Sequence, residues 1–478
     1  MMLFFVLAAV SLALGVWGDE HNIVIPLAFE PDSQLMTATL AVGSPANTYN
    51  LVLDTGSPFV VVQDSVFHQT ASTSDAAQLE MGDMQGYVTT TPGGGDGAPV
   101  KPTMHFITDT AYLVQGSGVE AGGGALAGNM TLALAGLPLK AQGILGLSPP
   151  FNKVQGKPGK DGKKTVIPSA DVSFLGSYLS DDGRKRLGIT GASHFYTAMT
   201  PPTDSAAASG QLVFPKEGTT VPVVKGYDAG AAINIDPGTG STFPGHPFWG
   251  IAHRHDLRFV IDDQVLDNVR IDALLLDTGT AGVVGPPSEV AKIIDATQGR
   301  LNRTSSDPKQ VVADAACDLS IKLGFDIGGM RTTFTALRRP SKPSPAAQSF
   351  MSMAMDHEDQ GQNVQAVQAM KSYQTAGVNV HAAGVRDSVN ALTGTLFAPR
   401  LVKLHKRNPL LLSNAHLTDA KDGGQRCTLS LTGNPQVDQM FPQNGPDFKV
   451  WILGTEFFQQ NLVYHNIDSA VTTIIPRK

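Results

Sequence analysis

Short apolar runs separated by polar turn clusters dominate the chain. Alternation at the period of an extended strand marks segments 23–29, 36–42, 49–53, 59–62, 131–135, 259–261, 463–467 and 471–475. Turn-forming clusters such as PGGGDGAP (92–99) and DPGTGS (236–241) punctuate them. The pattern predicts an all-β protein. Between about 338 and 426 the alternation stops, and Pro, Ser, Gln, Met and Lys accumulate, as in RRPSKPSP (338–345) and SFMSMAM (349–355). This stretch reads as an insertion, with one short helix expected at 362–375. Residues 1–18 contain no charged side chain, are wholly apolar from 3 to 10, and offer Gly15 and Gly18 as small residues near a cleavage point. They read as a secretory signal peptide lacking the usual basic start, with an uncleaved anchor as the alternative.

Composition narrows the classes. The 478 residues carry 35 basic and 42 acidic side chains, a net charge of −7, so no positive excess exists to neutralise nucleic-acid phosphates. With 42% apolar residues the chain can bury a core, which argues against a disordered chain. Fifty glycines and 31 prolines are too many for a helical array. Two cysteines exclude a disulfide-dense small domain.

The strongest organisational signal is an internal echo. Leu51-Val52-Leu53-Asp54-Thr55-Gly56-Ser57 recurs 223 residues later as Leu274-Leu275-Leu276-Asp277-Thr278-Gly279-Thr280. Gly143-Ile144-Leu145-Gly146-Leu147 is echoed by Trp451-Ile452-Leu453-Gly454. Asp54 precedes Gly146 by 92 residues, whereas Asp277 precedes Gly454 by 177, and the excess falls in the insertion. Two lobes are expected, 19–238 and 239–478. In each motif an apolar strand would deliver an Asp into a turn, Gly would permit close backbone approach, and the hydroxyls could reach the carboxylate or a symmetric neighbour. Two such turns meeting at a pseudo-dyad would set two carboxylates side by side. Such a pair shares a proton, titrates as a unit, and suits general acid–base hydrolysis through a water. Aspartic proteases are the standard pattern for this dyad.

These features resemble the pepsin-like aspartic endopeptidases, in the manner of a secreted, fungal-type member. The resemblance rests on the two Asp-Thr-Gly motifs, the two apolar-apolar-Gly triplets, Phe457-Phe458 after the second triplet, and Cys317 with Cys427. It implies a bilobal fold with a long insertion in the C-terminal lobe. It also implies Asp54 and Asp277 as catalytic residues, and Thr55, Gly56, Ser57, Thr278, Gly279 and Thr280 as their support. A Cys317–Cys427 disulfide in the second lobe follows from the same resemblance, with two free thiols as the alternative. So does a hairpin flap tipped by a Tyr, for which Tyr112 is the candidate and Tyr87 the rival. Val61 departs from the family, which commonly carries Trp there; Val has no donor for the flap Tyr. The 36 residues between the presumed cleavage and Asp54 already read as strands, which disfavours an N-terminal propeptide.

Other signals point to nothing specific. His253 and His255 share a strand face but have no third ligand nearby, and His357-Glu358 lacks a zincin's second His. Lys406-Arg407 is a dibasic pair that reads as solvated charge, with a processing site as the alternative. Asn129 and Asn302 open glycosylation sequons. The expected function is secreted endopeptidase action on proteins at acidic pH, without metal or cofactor. Proteins or peptides would be the substrates, the chain a monomer with no membrane anchor after signal cleavage, and the location extracellular or, second, a vacuolar lumen. The alternative is a weak or inactive binding or inhibitor protein on the same fold.

Overall fold

A computed structural model describes residues 22–80, 103–334 and 426–478, apart from short stretches of which the longest are 116–124, 202–208, 216–223, 236–247 and 304–310. The signal segment, Tyr87, His253, His255, Lys406 and almost all of the expected insertion lie outside the described residues.

The described chain is mostly β-strand, in a 13-stranded sheet, a 7-stranded sheet, a 4-stranded sheet and one short ribbon. Strand edges follow side-chain chemistry. In Asn22–Glu30 every second residue from Ile23 to Leu27 is buried, the signature of a strand with one wet face. By contrast, Val60–Gln63, Gly143–Gly146, Ala273–Leu276 and Val450–Leu453 are apolar without alternation and buried almost throughout. Such strands sit in the middle of parallel pairs covered on both faces.

Those central strands position the two motifs. Asn47–Asp54 runs parallel to Gly143–Gly146, with Leu53 opposite Leu145 and Asp54 opposite Gly146. Ala273–Leu276 runs parallel to Val450–Leu453, with Leu276 opposite Leu453. In each case an antiparallel neighbour, Val60–Gln63 or Val283–Gly285, closes the other side of the Gly-bearing strand. The two halves therefore repeat one local topology, as the echo predicted.

The division of the chain is less tidy than two consecutive halves. The strands Asn461–Asn466 and Thr472–Pro476 pair with each other and join the large sheet, where His194–Thr200 of the first half pairs with Asn461–Asn466. The register sets Phe195 opposite His465 and Thr197 opposite Val463. The end of the chain thus completes a sheet begun before residue 200.

The helices among the described residues went unforeseen, Pro287–Ala296 the longest of them. Pro287–Ala296 packs against the strands Arg426–Gly433 and Val311–Ala316, burying Val290, Ile293 and Ile294. Its signals are present in the sequence: Pro at the first helical position and an i, i+3, i+4 apolar stripe. Cys317 and Cys427 form a disulfide that closes 110 residues, beside the paired strands that set Ala315 opposite Cys427.

Candidate active site

Each Asp is held in its turn by its own motif. Gly56 N–H donates to Asp54 Oδ1 at 2.8 Å, and the Ser57 hydroxyl donates to Asp54 Oδ2. Gly279 N–H donates to Asp277 Oδ1 at 2.8 Å, and the Thr280 hydroxyl donates to Asp277 Oδ2 at 2.7 Å. The two carboxylates are therefore oriented by equivalent donors, as the hydroxyl suffixes of the two motifs suggested.

The threonines lock the motifs together. Thr55 N–H donates to Thr278 Oγ1 at 3.0 Å, and Thr278 N–H donates to Thr55 Oγ1 at 3.0 Å. In turn, Thr55 Oγ1 donates to the Leu276 carbonyl and Thr278 Oγ1 to the Leu53 carbonyl, each at 2.8 Å. Both hydroxyls are fully buried, so these four bonds are made away from water, where an unmade one is expensive.

The glycines explain how the carboxylates come so close. A β-carbon on Gly56 would lie 2.8 Å from Asp277 Oδ1, and one on Gly279 would lie 2.6 Å from Asp54 Cγ. From sequence these glycines are expected to admit the approach of a substrate backbone; what lies against each in the structure is the opposite Asp, whose carboxylate a side chain there would meet. Gly146 and Gly454 play a second part: a β-carbon there would strike the Ser57 and Phe59 carbonyls, or those of Thr280 and Gly282. Their chains thread tightly beneath the Asp turns, and Leu147 N–H caps the Asp54 carbonyl at 2.8 Å.

The electrostatics follow from this packing. Asp54 is only 4% exposed, while Asp277 is half-buried. Burial first, and the adjacent Asp277 charge second, hold the Asp54 carboxyl well above the usual carboxylate range. A hydrogen bond to the Asp277 carboxyl acts in the same direction, and the Ser57 and Gly56 donors oppose it. The pair is thus arranged to hold one proton between two acids.

Trp249 reinforces the site in a way the sequence did not reveal. It is buried, and its Nε1–H donates across to the Leu147 carbonyl at 2.8 Å. Its own carbonyl accepts from Leu276 N–H at 2.9 Å. One residue therefore touches the chain directly after the Gly143–Gly146 strand that runs beneath the first Asp turn, and directly before the second Asp.

The remaining candidates fall elsewhere. Tyr112 is half-buried in the strand Thr103–Leu113, opposite Ala41 and at a register irregularity against Ala125–Ala135. Val61 is fully buried, opposite Ile144 and Ala133. Asn129 and Asn302 are both exposed.

No family model matches the chain, and no curated protein matches it. Among solved structures, the crystal structure of aspartic proteinase from Irpex lacteus is similar, with a TM-score of 0.52 and 16% identity over 96% of this chain and 98% of that one. The likeness spans nearly the whole length and shows the fold: an all-β, bilobal, pepsin-like architecture.

Proposed function

We propose that the protein is a secreted aspartic endopeptidase that cleaves proteins at acidic pH. The observation that carries this reading is the reciprocal placement of Asp54 and Asp277, each fixed by its own Gly N–H and hydroxyl and each roofing the other's glycine. With one proton on the pair, the ionised carboxylate takes a proton from a water, whose oxygen attacks the scissile carbonyl carbon. The protonated carboxyl gives its proton to the carbonyl oxygen. Collapse of the tetrahedral species breaks the C–N bond, the amine leaves with a proton, and the pair returns to one shared proton. No covalent enzyme intermediate is needed. In the same reading Tyr112 belongs to the hairpin covering the cleft, Asn129 and Asn302 carry glycans, and the mature chain works as a monomer outside the cell or in a vacuolar lumen.

Digestion of casein or haemoglobin from acidic to neutral pH, with and without pepstatin, tests the proposal. Pepstatin-sensitive acidic cleavage is the expected result. Its absence in well-folded protein would favour the second reading, a binding or inhibitor protein on this fold. The burial of Val61, which leaves no donor for the hairpin Tyr at that position, is the observation on that side.

A further inference from the structure

Asp109 is a buried carboxylate outside the dyad, 1% exposed, on the strand Thr103–Leu113 three residues before Tyr112. A charge so deep needs a full set of donors. It has them: Ser72 Oγ donates to Oδ1 at 2.5 Å, Thr73 Oγ1 to Oδ2 at 2.6 Å, Thr70 Oγ1 to Oδ2 at 3.3 Å, and Thr110 N–H to Oδ1 at 2.7 Å. The donors close a ring. Thr70 Oγ1 also accepts from Ser44 N–H at 3.3 Å, and Gly43 N–H donates to the Thr110 carbonyl at 2.7 Å. A β-carbon on Gly43 would strike Thr70, so turn and loop are pressed together. One carboxylate thereby ties the 70–73 loop, the 43–44 turn and the paired strands Thr103–Leu113 and Ala125–Ala135, at the Asp109–Met130 pair, into a single unit.

The geometry points to Asp109 as a positioning residue that fixes the angle at which this hairpin, and Tyr112 with it, stands on the lobe, and so sets substrate affinity. This rests on the proposed reading of the hairpin as the one that covers the cleft. Asp109 touches no reacting atom and acts through the hairpin alone. A charge-assisted bond to a buried acid is worth enough that removing one donor should shift affinity about tenfold.

The test compares Thr73→Val, which at constant size removes the donor to Asp109 and the acceptor of the Thr70 N–H, with Thr73→Ser, which keeps both, and with Asp109→Asn. Cleavage of an internally quenched peptide gives KM and kcat separately, and hydrogen exchange is followed on peptides spanning 103–113 and 273–285. Thr73→Val and Asp109→Asn should raise KM about tenfold with kcat within about twofold, while Thr73→Ser stays near the wild-type value. Exchange should quicken in 103–113 and not in 273–285. Unchanged KM in folded, active Thr73→Val and Asp109→Asn overturns the inference. If the wild type cleaves nothing, the peptidase reading falls separately. Exchange then decides the clamp: quickening in 103–113 upholds it, and unchanged exchange overturns it.

Discussion

The indole of Trp249 lies over the imidazole of His465, ring centroids 4.4 Å apart and planes tilted by 34°. Phe195 covers His465 at 4.8 Å, and Thr472 shares a hydrogen bond with its Nδ1 at 3.1 Å. Nothing charged is among these neighbours, and the ring is 0% exposed. Burial pushes His465 down to about 3, against an ordinary value of 6.5.

The sign of the pH effect follows. Between pH 6.5 and about 3 the unfolded chain binds a proton at this histidine that the folded chain refuses, so stability falls as pH falls across that window and levels off below it. The loss is on the order of 5 kcal/mol. His465→Phe should flatten this slope. Thermal melting followed from pH 7 to pH 3 should show the variant gaining over wild type in acid; equal slopes would refute the assignment.

Asp54 contributes with the opposite sign. Its raised value means the folded chain keeps a proton that the unfolded chain has released, so its contribution is present in acid and is lost as pH rises. Asp54→Asn should therefore melt higher than wild type near neutrality. Asp54→Asn and Asp277→Asn should each lower kcat by about 10³-fold or more. Paired melting curves and acid proteolysis separate the two effects, and retained activity in either variant contradicts the mechanism.

Gly56→Ala and Gly279→Ala test the crossed packing. Each new methyl would enter the space of the opposite carboxylate, 2.6–2.8 Å from its atoms, and must push it away. Displacement of a reacting group by about 1 Å costs about 10²-fold in rate. Activity should fall by that order in both variants while circular dichroism stays native. A variant with full activity would show that the carboxylates tolerate separation.

The threonine lock should be strongly coupled. Thr55→Val leaves the Thr278 N–H and the Leu276 carbonyl without their buried partner, a loss of about 2–5 kcal/mol. Thr278→Val does the same to the Thr55 N–H and the Leu53 carbonyl. Because both lesions open one network, the double variant should lose less than the sum of the singles. Urea denaturation of the four proteins measures this directly.

Local chemistry was legible in the sequence wherever a short motif carried it. The apolar prefix, the Asp and the hydroxyl suffix predicted the strand, the turn and the donor to each carboxylate, and Ser57 and Thr280 stand where that reasoning put them. The strand edges were also close: 36–42 became Leu35–Val42, and 471–475 became Thr472–Pro476. What escaped depends on partners far apart in sequence. Nothing in HFYTAMT announces pairing with NLVYHN, because either strand could complete any sheet edge with matching alternation. The Trp249 bridge and the donors of Asp109 were hidden for the same reason. A buried Asp among hydroxyls looks like any polar loop until the fold brings residues 70–73 to residue 109.

The placement of Asn461–Asn466 in the sheet of His194–Thr200 also bears on synthesis. The first lobe's sheet stays unfinished, and Phe195 lacks its cover from His465, until residues 461–466 have been made. Both carboxylates exist long before that, but their threonine lock and the Trp249 bridge need both lobes in place. The edge of that sheet is thus closed, in order of synthesis, only after both Asp-Thr-Gly motifs have been made.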